Sequence, residues 1–279
     1  MTCDTHLMVR TDILSDMRDS AKPLITVITV CYNAVDQIEA TLMSVISQSY
    51  DNIEYIVIDG GSTDGTPEVI EKYNVHLSFY VSEPDNGIYH AMNKGIKRAT
   101  GDYINFLNVG DVFCDSQVVD RVSDFVALNQ FDIVYGDMVS RYSFGNRIVH
   151  AGPLSKISYD MVFSHQSTFV RADILHQRNF NLEYRLAADY DFLVWAYSNG
   201  CTFGYLAIPV ASIDAIGGAT HDNFVKSRRE CFRIQVRNGG NAVLCFLWLL
   251  WRVFYFKVIT AAKGILPQAL LKTVAGHMR

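Results

Sequence analysis

"IEYIVIDGGSTDGTPEVIEKY", Ile53 to Tyr73, is the stretch whose reading decides the fold. Its first seven residues, Ile53 to Asp59, are mostly apolar and β-branched, as a strand buried on both faces requires. The run stops at an acid, Asp59. The cluster "GGSTDGT" then turns the chain and opens a helix near Pro67, where a missing N–H costs nothing. The flanking sequence repeats this strand–turn–helix pattern. Upstream, "LITVITV" (Leu24–Val30) reads as a strand followed by "CYN" and by Val35, Ile38, Leu42, Val45 and Ile46 at helical spacing. Downstream come a third strand, "LSFYVSE", and a helix, "GIYHAMNKGIKRATG", closed by Gly101. A fourth strand, "DYINFLN", a helix over about Ser116 to Leu128 and the strand "DIVYGD" follow.

Strands alternating with helices at this spacing predict an α/β fold, a Rossmann-like, mostly parallel sheet with right-handed crossovers and flanking helices. Ligands of such sheets bind beyond the carboxyl ends of the strands. Polar clusters at 31–33, 59–64, 83–87, 108–111 and 135–137 are all expected at those ends. The second half is less regular. "HQSTFV" reads as a strand after a loop, "LAADYDFLVWAYSNG" as a helix with acids in its first turn, "TFGYLAIPVASID" as an extended run, and His221 to Arg237 as a helix.

A chain of 279 residues with 49% hydrophobic and 19% charged residues can bury a sizeable core, which excludes a disordered protein. None of the six cysteines forms a CxxC pair, so reduced core thiols and a cytoplasmic setting are expected. Residues 1–22 mix acids and arginines without an apolar core region and read as a polar extension, not a signal peptide. The net charge of −5 hides an asymmetry: no acid follows Glu230, while Arg233, Arg237, Arg252, Lys257, Lys263, Lys272 and Arg279 do. A basic, apolar end on an acidic body suits anionic lipid headgroups. No nucleic-acid motif is interleaved with these cations, so nucleic acid is set aside.

Several clusters carry chemistry, and each also has a structural reading. Asp59 can accept from a nucleobase N–H, while Gly60, Gly61 and Gly65 let a ligand approach the backbone. Ser62 and Asp64 can equally cap the next helix. Glu83, Asp85 and Asn86 form a polar loop turned by Gly87. Asn93 and Lys94 follow on a helix, where Lys94 faces either a diphosphate or solvent. In "FLNVGD" (Phe106–Asp111), Asp111 is either a turn residue or a ligand for Mg2+ or Mn2+, whose remaining ligands a sugar diphosphate would supply. Asn108 can bond a ribose hydroxyl. Asp189 and Asp191 of "AADYDF" are either acids favoured by a helix N-terminus or include a base for an acceptor hydroxyl. Two apart on a helix, they cannot share a face, so one is expected to point into the site. Asp137, His165, Gln166 and His221 are candidate contacts to acceptor or phosphates.

Together, "ITVITVCYN", "IDGGSTDGT", "SEPDNGIYHAMNKGI", "FLNVGD", "YGD", "HQSTF" and "AADYDF" resemble glycosyltransferase family 2, in particular its bacterial surface-polysaccharide members, over about Leu24 to Ala219. The resemblance implies a GT-A fold and inverting sugar transfer from a nucleotide-diphosphate sugar, typically a UDP-sugar. By position it implies that Asp59 contacts the base and that the backbone from Thr29 and Val30 through Tyr32 and Asn33 lines the same pocket. Asn108 stands where the family often has the first acid of its metal motif, near the ribose. Asp111 would hold the divalent cation and Asp189 would be the catalytic base. The chain departs from the pattern at Asn108 and Gly110, which leave one acid in the metal motif, and at Ala188, where the family's "ED" pair has Glu.

The expected organisation is an extension (1–22), a GT-A domain (23–230) and a basic apolar helical tail (231–279). Within the domain, a nucleotide-binding half spans about 23–112 and an acceptor half about 113–230. In the tail, "AVLCFLWLLWRVFYFKVI" (Ala242–Ile259) has an uninterrupted apolar run to Trp251, short of the ~20 residues of a spanning helix. An amphipathic helix lying in the membrane interface is favoured, with Trp248, Trp251 and Tyr255 at headgroup level and Arg252 and Lys257 outward. A true span, a buried helix and a homo-oligomer contact are the alternatives. An interfacial tail would put the protein on the inner face of a bacterial inner membrane. There it would glycosylate a hydroxyl of a lipid-linked saccharide in O-antigen, capsule or exopolysaccharide synthesis. Transfer to a polyprenyl phosphate, or a sugar-nucleotide-binding module with weak turnover, are the rival functions. A nucleotidyltransferase would need a Gly- and Lys-rich loop after the first strand, which "CYNAVDQIEA" lacks.

Overall fold

Strand β1 (Ile25–Cys31) is buried at every position, and its alternating side chains feed two cores. Ile25, Val27 and Cys31 pack on one face with Ile38, Leu42 and Val45 of helix α1 (Ile38–Ile46) and with the valines of helix α4 (Val118–Asn129). Ile28 and Val30 pack on the other with Met92 and Ile96 of helix α3 (Ile88–Arg98). A strand covered on both sides can be apolar throughout, which is why the period-two signal is absent from "ITVITV". The computed structural model describes residues 22–142, 145–214 and 223–263, with side chains as far as Val258. The polar extension to residue 21, His221 and the tail beyond residue 263 lie outside the described residues.

The remaining strands are β2 (Ile53–Asp59), β3 (Phe79–Ser82), β4 (Tyr103–Phe106), β5 (Val112–Phe113), β6 (Ile133–Tyr142), β7 (Gly145–Val149), β8 (Thr168–Arg171) and β9 (Phe203–Asp214). The other helices are α2 (Thr66–Glu71), α5 (Ala172–Gln177), α6 (Ala188–Ser198), α7 (Phe224–Arg237) and α8 (Ala242–Lys263). The strands join in one sheet of order β3-β2-β1-β4-β8-β6-β9-β5, with β7 on β6. β3, β2, β1 and β4 run parallel, as does β9 beside β6, and β8, β5 and β7 pair antiparallel. This is the expected α/β sheet of GT-A type, with its helices on both faces.

Two registers build the functional rim. In the parallel half Cys31, Asp59 and Ser82 stand side by side at three strand ends. In the antiparallel pair β4–β8, Asn105 faces Phe169. Continued past the strand ends, that register brings the turn at His165–Ser167 against the "LNVGD" corner. Asn105 fixes it by donating from Nδ2 to the carbonyls of Gln166 (3.0 Å) and Thr168 (2.8 Å).

Several expectations are corrected. Helix α3 ends at Arg98, and Gly101 does not cap it in a left-handed conformation. A Cβ at Gly101 would lie 2.5 Å from Thr26 Oγ1 and 2.7 Å from Leu24 O, so this glycine permits close backbone approach. The cluster 135–137 is not a strand end. β6 continues to Tyr142 through a bulge against β9 on either side of Asp137, which increases the local bend. His165–Ser167 is a short 3-10 turn, and only Thr168 onward is strand. The 230/231 boundary falls inside α7.

Helices α7 and α8 form a hairpin on the body, with Phe224 stacked on Phe256 at 4.1 Å between centroids. Asn241 Oδ1 accepts from Val243 N and Leu244 N and so caps α8. Arg252 is not outward: its guanidinium pairs with Asp160 at 3.2 Å, beside Arg228, which pairs with the same acid at 3.3 Å. Lys257 is exposed, as expected. Val243, Leu244, Leu247, Leu250, Trp251, Phe254 and Val258 form an exposed apolar face. Among the described residues no helix is long and apolar enough to cross a membrane. Cys31, Cys114, Cys201, Cys231 and Cys245 are free thiols.

Candidate active site

At the end of the rim formed by β1, β2 and β3, Asp59 is fully buried. Its carboxylate accepts from Ser62 N (2.9 Å), Ser82 Oγ (2.5 Å) and Ser62 Oγ, and Cys31 Sγ lies 3.5 Å away. The aligned strand ends explain these partners. Asn33, held at φ 45°, donates its N–H to Ser62 Oγ and accepts from Thr63 N through Oδ1. Asp64 accepts from Thr66 N and Oγ1 and from Val35 N, and the Thr66 hydroxyl above all holds its carboxyl below the usual range. These bonds stitch the β1 and β2 loops into one wall. Thr29 is buried and its hydroxyl donates to Leu107 O, and Val30 is a core residue, so both contribute support rather than exposed side chains. Tyr32 is 63% exposed and lies beside Gly60 and Asp85, leaving an open aromatic face at this wall.

The next loop is a strap over the helix that follows. Gly87 turns at φ +109° and its N–H donates to Asp85 Oδ1. Asn86 is exposed, with its N–H on His90 Nδ1 at 3.3 Å. Lys94 reaches back to Glu83 (2.9 Å) and Pro84 O (3.0 Å). Asn93 faces the other way. Its amide donates to Phe180 O and accepts from Phe180 N, so it fixes the segment before α6. Tyr89, one turn earlier on the same face of α3, donates its hydroxyl to Asp189 Oδ1 at 2.7 Å.

The centre of the site is a connected set. Asp189 Oδ2 accepts from His165 Nδ1 at 2.9 Å, and Asn108 Nδ2 donates to His165 Nε2 at 3.1 Å. Gln166 Nε2 donates to Asp111 Oδ2 at 2.9 Å. One turn, His165–Gln166, therefore holds both the acid expected to be the base and the acid expected to hold a cation. Burial alone would raise Asp189, but the bonds from His165 and Tyr89 outweigh it and keep the carboxyl below its usual range. At Asp111 burial wins: despite the Gln166 bond and the charge of Arg141, the carboxyl is pushed up to about 6. A bound cation would remove that penalty, and the Gln166 bond engages one oxygen, so a hard divalent cation fits this corner. Among the described residues no three His, Cys, Asp or Glu side chains cluster as a metal site, and the charge of Asp214 adds to the upward push on Asp111.

Asp191 points away from this set into an ion pair with Arg178 at 2.7 Å. Asp137 is buried within β6 and accepts from His150 Nδ1 (2.6 Å), Ala151 N (2.9 Å) and Tyr205 OH (2.8 Å). Those bonds outweigh burial and keep its carboxyl low. It anchors the β7 segment behind the rim. Sequence reasoning missed Tyr89, Thr41 and Arg141. Thr41 receives Gly110 N and donates to Asp111 O, and Arg141 donates to Gly110 O and Ser212 O, so both hold the corner from behind. Tyr89 had a readable signal, its i, i+4 spacing from Asn93. The other two had none.

Comparison with known proteins identifies the family. Residues 26–192, well over half of the chain, match the model of Glycosyl transferase family 2. The chain belongs to glycosyltransferase family 2. This glycosyltransferase is 30% identical over 230 residues to a PGL/p-HBAD biosynthesis glycosyltransferase of Mycobacterium bovis (strain BCG / Pasteur 1173P2), covering 80% of this chain and 90% of that one. Over 95 residues it is 41% identical to TuaG of Bacillus subtilis (strain 168), a protein named for teichuronic acid biosynthesis, covering 32% of this chain and 37% of TuaG. Its fold matches S. aureus TarS 1-349 in complex with UDP-GlcNAc (TM-score 0.62, 19% identity, 79% of this chain and 69% of that one). It also matches a mannosyltransferase from Pyrobaculum calidifontis in complex with GDP-Man and Mn2+ (TM-score 0.64, 19% identity, 92% and 81%). At such identities the structural likeness establishes the GT-A fold of the glycosyltransferase and nothing finer.

Proposed function

We propose that this glycosyltransferase transfers a sugar, with inversion, from a UDP-sugar to a hydroxyl of a lipid-linked saccharide during cell-surface polysaccharide synthesis. The observation that carries the reading is the His165–Gln166 turn, which draws Asp111 and Asp189 into one network at the strand ends. The relatives' names and the neighbours' nucleotide complexes support the donor and pathway class.

In this reading Tyr32 and the Asn33–Ser62–Asp59 wall receive the nucleoside, and the Asn86–Gly87 loop borders the diphosphate. Asp111 would hold Mn2+ or Mg2+ together with diphosphate oxygens, and the cation's contribution when bound is to neutralise the leaving group's charge. Asp189 supplies the negative charge against which the acceptor proton departs. The exposed face of α8 lies on the inner membrane surface, where a lipid-linked acceptor is presented.

The test is a panel of UDP-, GDP- and dTDP-sugars with manganese, read as protection against thermal unfolding and then as transfer to a lipid-linked saccharide. A donor at a hundredfold excess over its Kd should add about 2.7 kcal/mol of apparent stability. UDP-sugars should protect, and Asp189→Asn should nearly abolish transfer without loss of that protection. Protection by GDP-sugars alone would replace the donor assignment, and full transfer by Asp189→Asn would remove Asp189 from the chemistry.

A further inference from the structure

Resting on the reading above, we infer that Tyr89 is a positioning residue for Asp189: with the Tyr190 N–H its hydroxyl fills Oδ1 and leaves Oδ2 as the oxygen that takes the acceptor proton. A carboxylate offers about two lone-pair sites on each oxygen. Oδ1 accepts from Tyr89 OH at 2.7 Å and from Tyr190 N at 2.9 Å, so both of its sites are taken. Oδ2 accepts from His165 Nδ1 at 2.9 Å, which leaves it one site. Asn108 Nδ2 donates to His165 Nε2 at 3.1 Å and so fixes the tautomer that donates from Nδ1. The imidazole is an acceptor at one end and a donor at the other, and the open lone pair of this set belongs to Asp189 Oδ2. The Asp189 side chain is 10% exposed, so it is not sealed from the rim.

The place of the hydroxyl is fixed from several sides. Tyr89 is buried, and its ring centroid lies 5.4 Å from that of Phe180. Phe180 packs in turn on Phe106 of β4 (5.2 Å) and on Phe192 of α6 (5.9 Å), one turn after Asp189. Asn93, one turn along α3 from Tyr89, bonds both the N–H and the carbonyl of Phe180. These contacts lock α3 to the helix that carries Asp189. Burial, then the charge of Asp189, pushes the phenol well above its usual range, which keeps it protonated and a donor. A phenylalanine would fill the same space, so packing alone does not call for the oxygen. α3 also starts from Gly87, in the loop that borders the diphosphate in this reading. One helix then sets the proton acceptor relative to the leaving group.

The step balances. The acceptor oxygen bonds the anomeric carbon as the bond from that carbon to the diphosphate oxygen breaks. The hydroxyl proton passes to Asp189 Oδ2 and is released to solvent after the product leaves. The groups facing Asp189 are His165 from the turn, Tyr89 from α3, and Cys231 from α7, with Glu230 bonded to the segment just before α6. Burial pushes the Cys231 thiol up to about 11. Asp111 stands beyond Gln166, and assays at saturating manganese keep its protonation out of the profile.

The test compares wild type with Tyr89→Phe and with 3-fluorotyrosine placed at position 89. Fluorination strengthens the phenol as a donor at nearly unchanged size. Loss of the donor in Tyr89→Phe should move the acid limb of kcat up by about one pH unit, about a tenfold loss below the limb, with the plateau and the donor KM changed far less. Fluorotyrosine should move the limb down. NMR of the Asp189 carboxyl carbon should give the same order of titration: fluorotyrosine, wild type, Tyr89→Phe. Protection by UDP-sugar and manganese should persist in all three, which shows that they fold. If Tyr89→Phe does not fold, the fluorinated protein against wild type decides. A kcat loss equal at every pH, coincident rate profiles, or a carboxyl titration indifferent to the phenol overturns the proposal. Full transfer by Asp189→Asn overturns the reading beneath it instead.

Discussion

At Asp111 a carboxylate sits beside one amide donor, and its burial outweighs that bond and the charge of Arg141. Its folded-state value, about 6, stands above the 3.8 of a free side chain. Between those values the folded protein binds more protons than the unfolded chain, so stability falls as pH rises through this window and stays reduced above it. Asp111→Asn removes the titration. In metal-free buffer it should melt above wild type at pH 8 and alongside it near pH 4, while losing transfer. Equal melting at pH 8 would show that the carboxyl carries no penalty. Asp111 and Asp189 were legible as residues because each ends a motif of fixed order. Their common holder, His165–Gln166, was legible only as two polar loop residues. Its role depends on the β4–β8 register, which joins positions 57 and 55 residues apart and has no local signature.

Helix α6 carries Asp189, and two other helices set its place. α3 contributes Tyr89 and Asn93, and α7 contributes Glu230, whose carboxylate accepts from Arg185 N (3.1 Å) and Leu186 N (2.8 Å) just before the helix begins. Glu230→Ala leaves two backbone donors without their charged acceptor and should cost about 1–3 kcal/mol in urea unfolding. It should also lower kcat more than it raises the donor KM, because the disturbed segment precedes Asp189 and lies away from the nucleotide wall. An unchanged kcat would mean that α7 does not position Asp189 for transfer. The elements themselves were readable from apolar runs and turn residues. Where the reading slipped, at Gly101 and at the β6 bulge, the deciding contact was with a neighbouring strand. Local propensity does not encode such a contact.

For the molecule as a whole, the α7–α8 hairpin faces two ways. Inward, Arg228 and Arg252 converge on Asp160, and outward α8 offers its apolar face. Replacing Leu247, Leu250 and Phe254 together by Gln should release the protein from anionic phospholipid vesicles in co-sedimentation, with melting temperature and nucleotide protection unchanged. Continued binding by this variant would place the membrane contact elsewhere. Deleting the hairpin from residue 242 is a poorer probe, because it also strips Asp160 of a partner. The sequence identified this segment as basic and apolar but not which cation turns inward, since Arg252 owes its direction to an acid 92 residues away.

The contacts from Tyr89 to Asp189, Asn93 to Phe180 and Asn108 to His165 all cross residue 112. The segments before and after that residue are therefore not interchangeable cassettes. A chimera spliced at that point would divide one continuous sheet and bring in an α3 helix and a corner shaped for another protein's partners. Recombination across that point will have to carry Tyr89, Asn93 and Asn108 along with the segment that holds Asp189, Phe180 and His165.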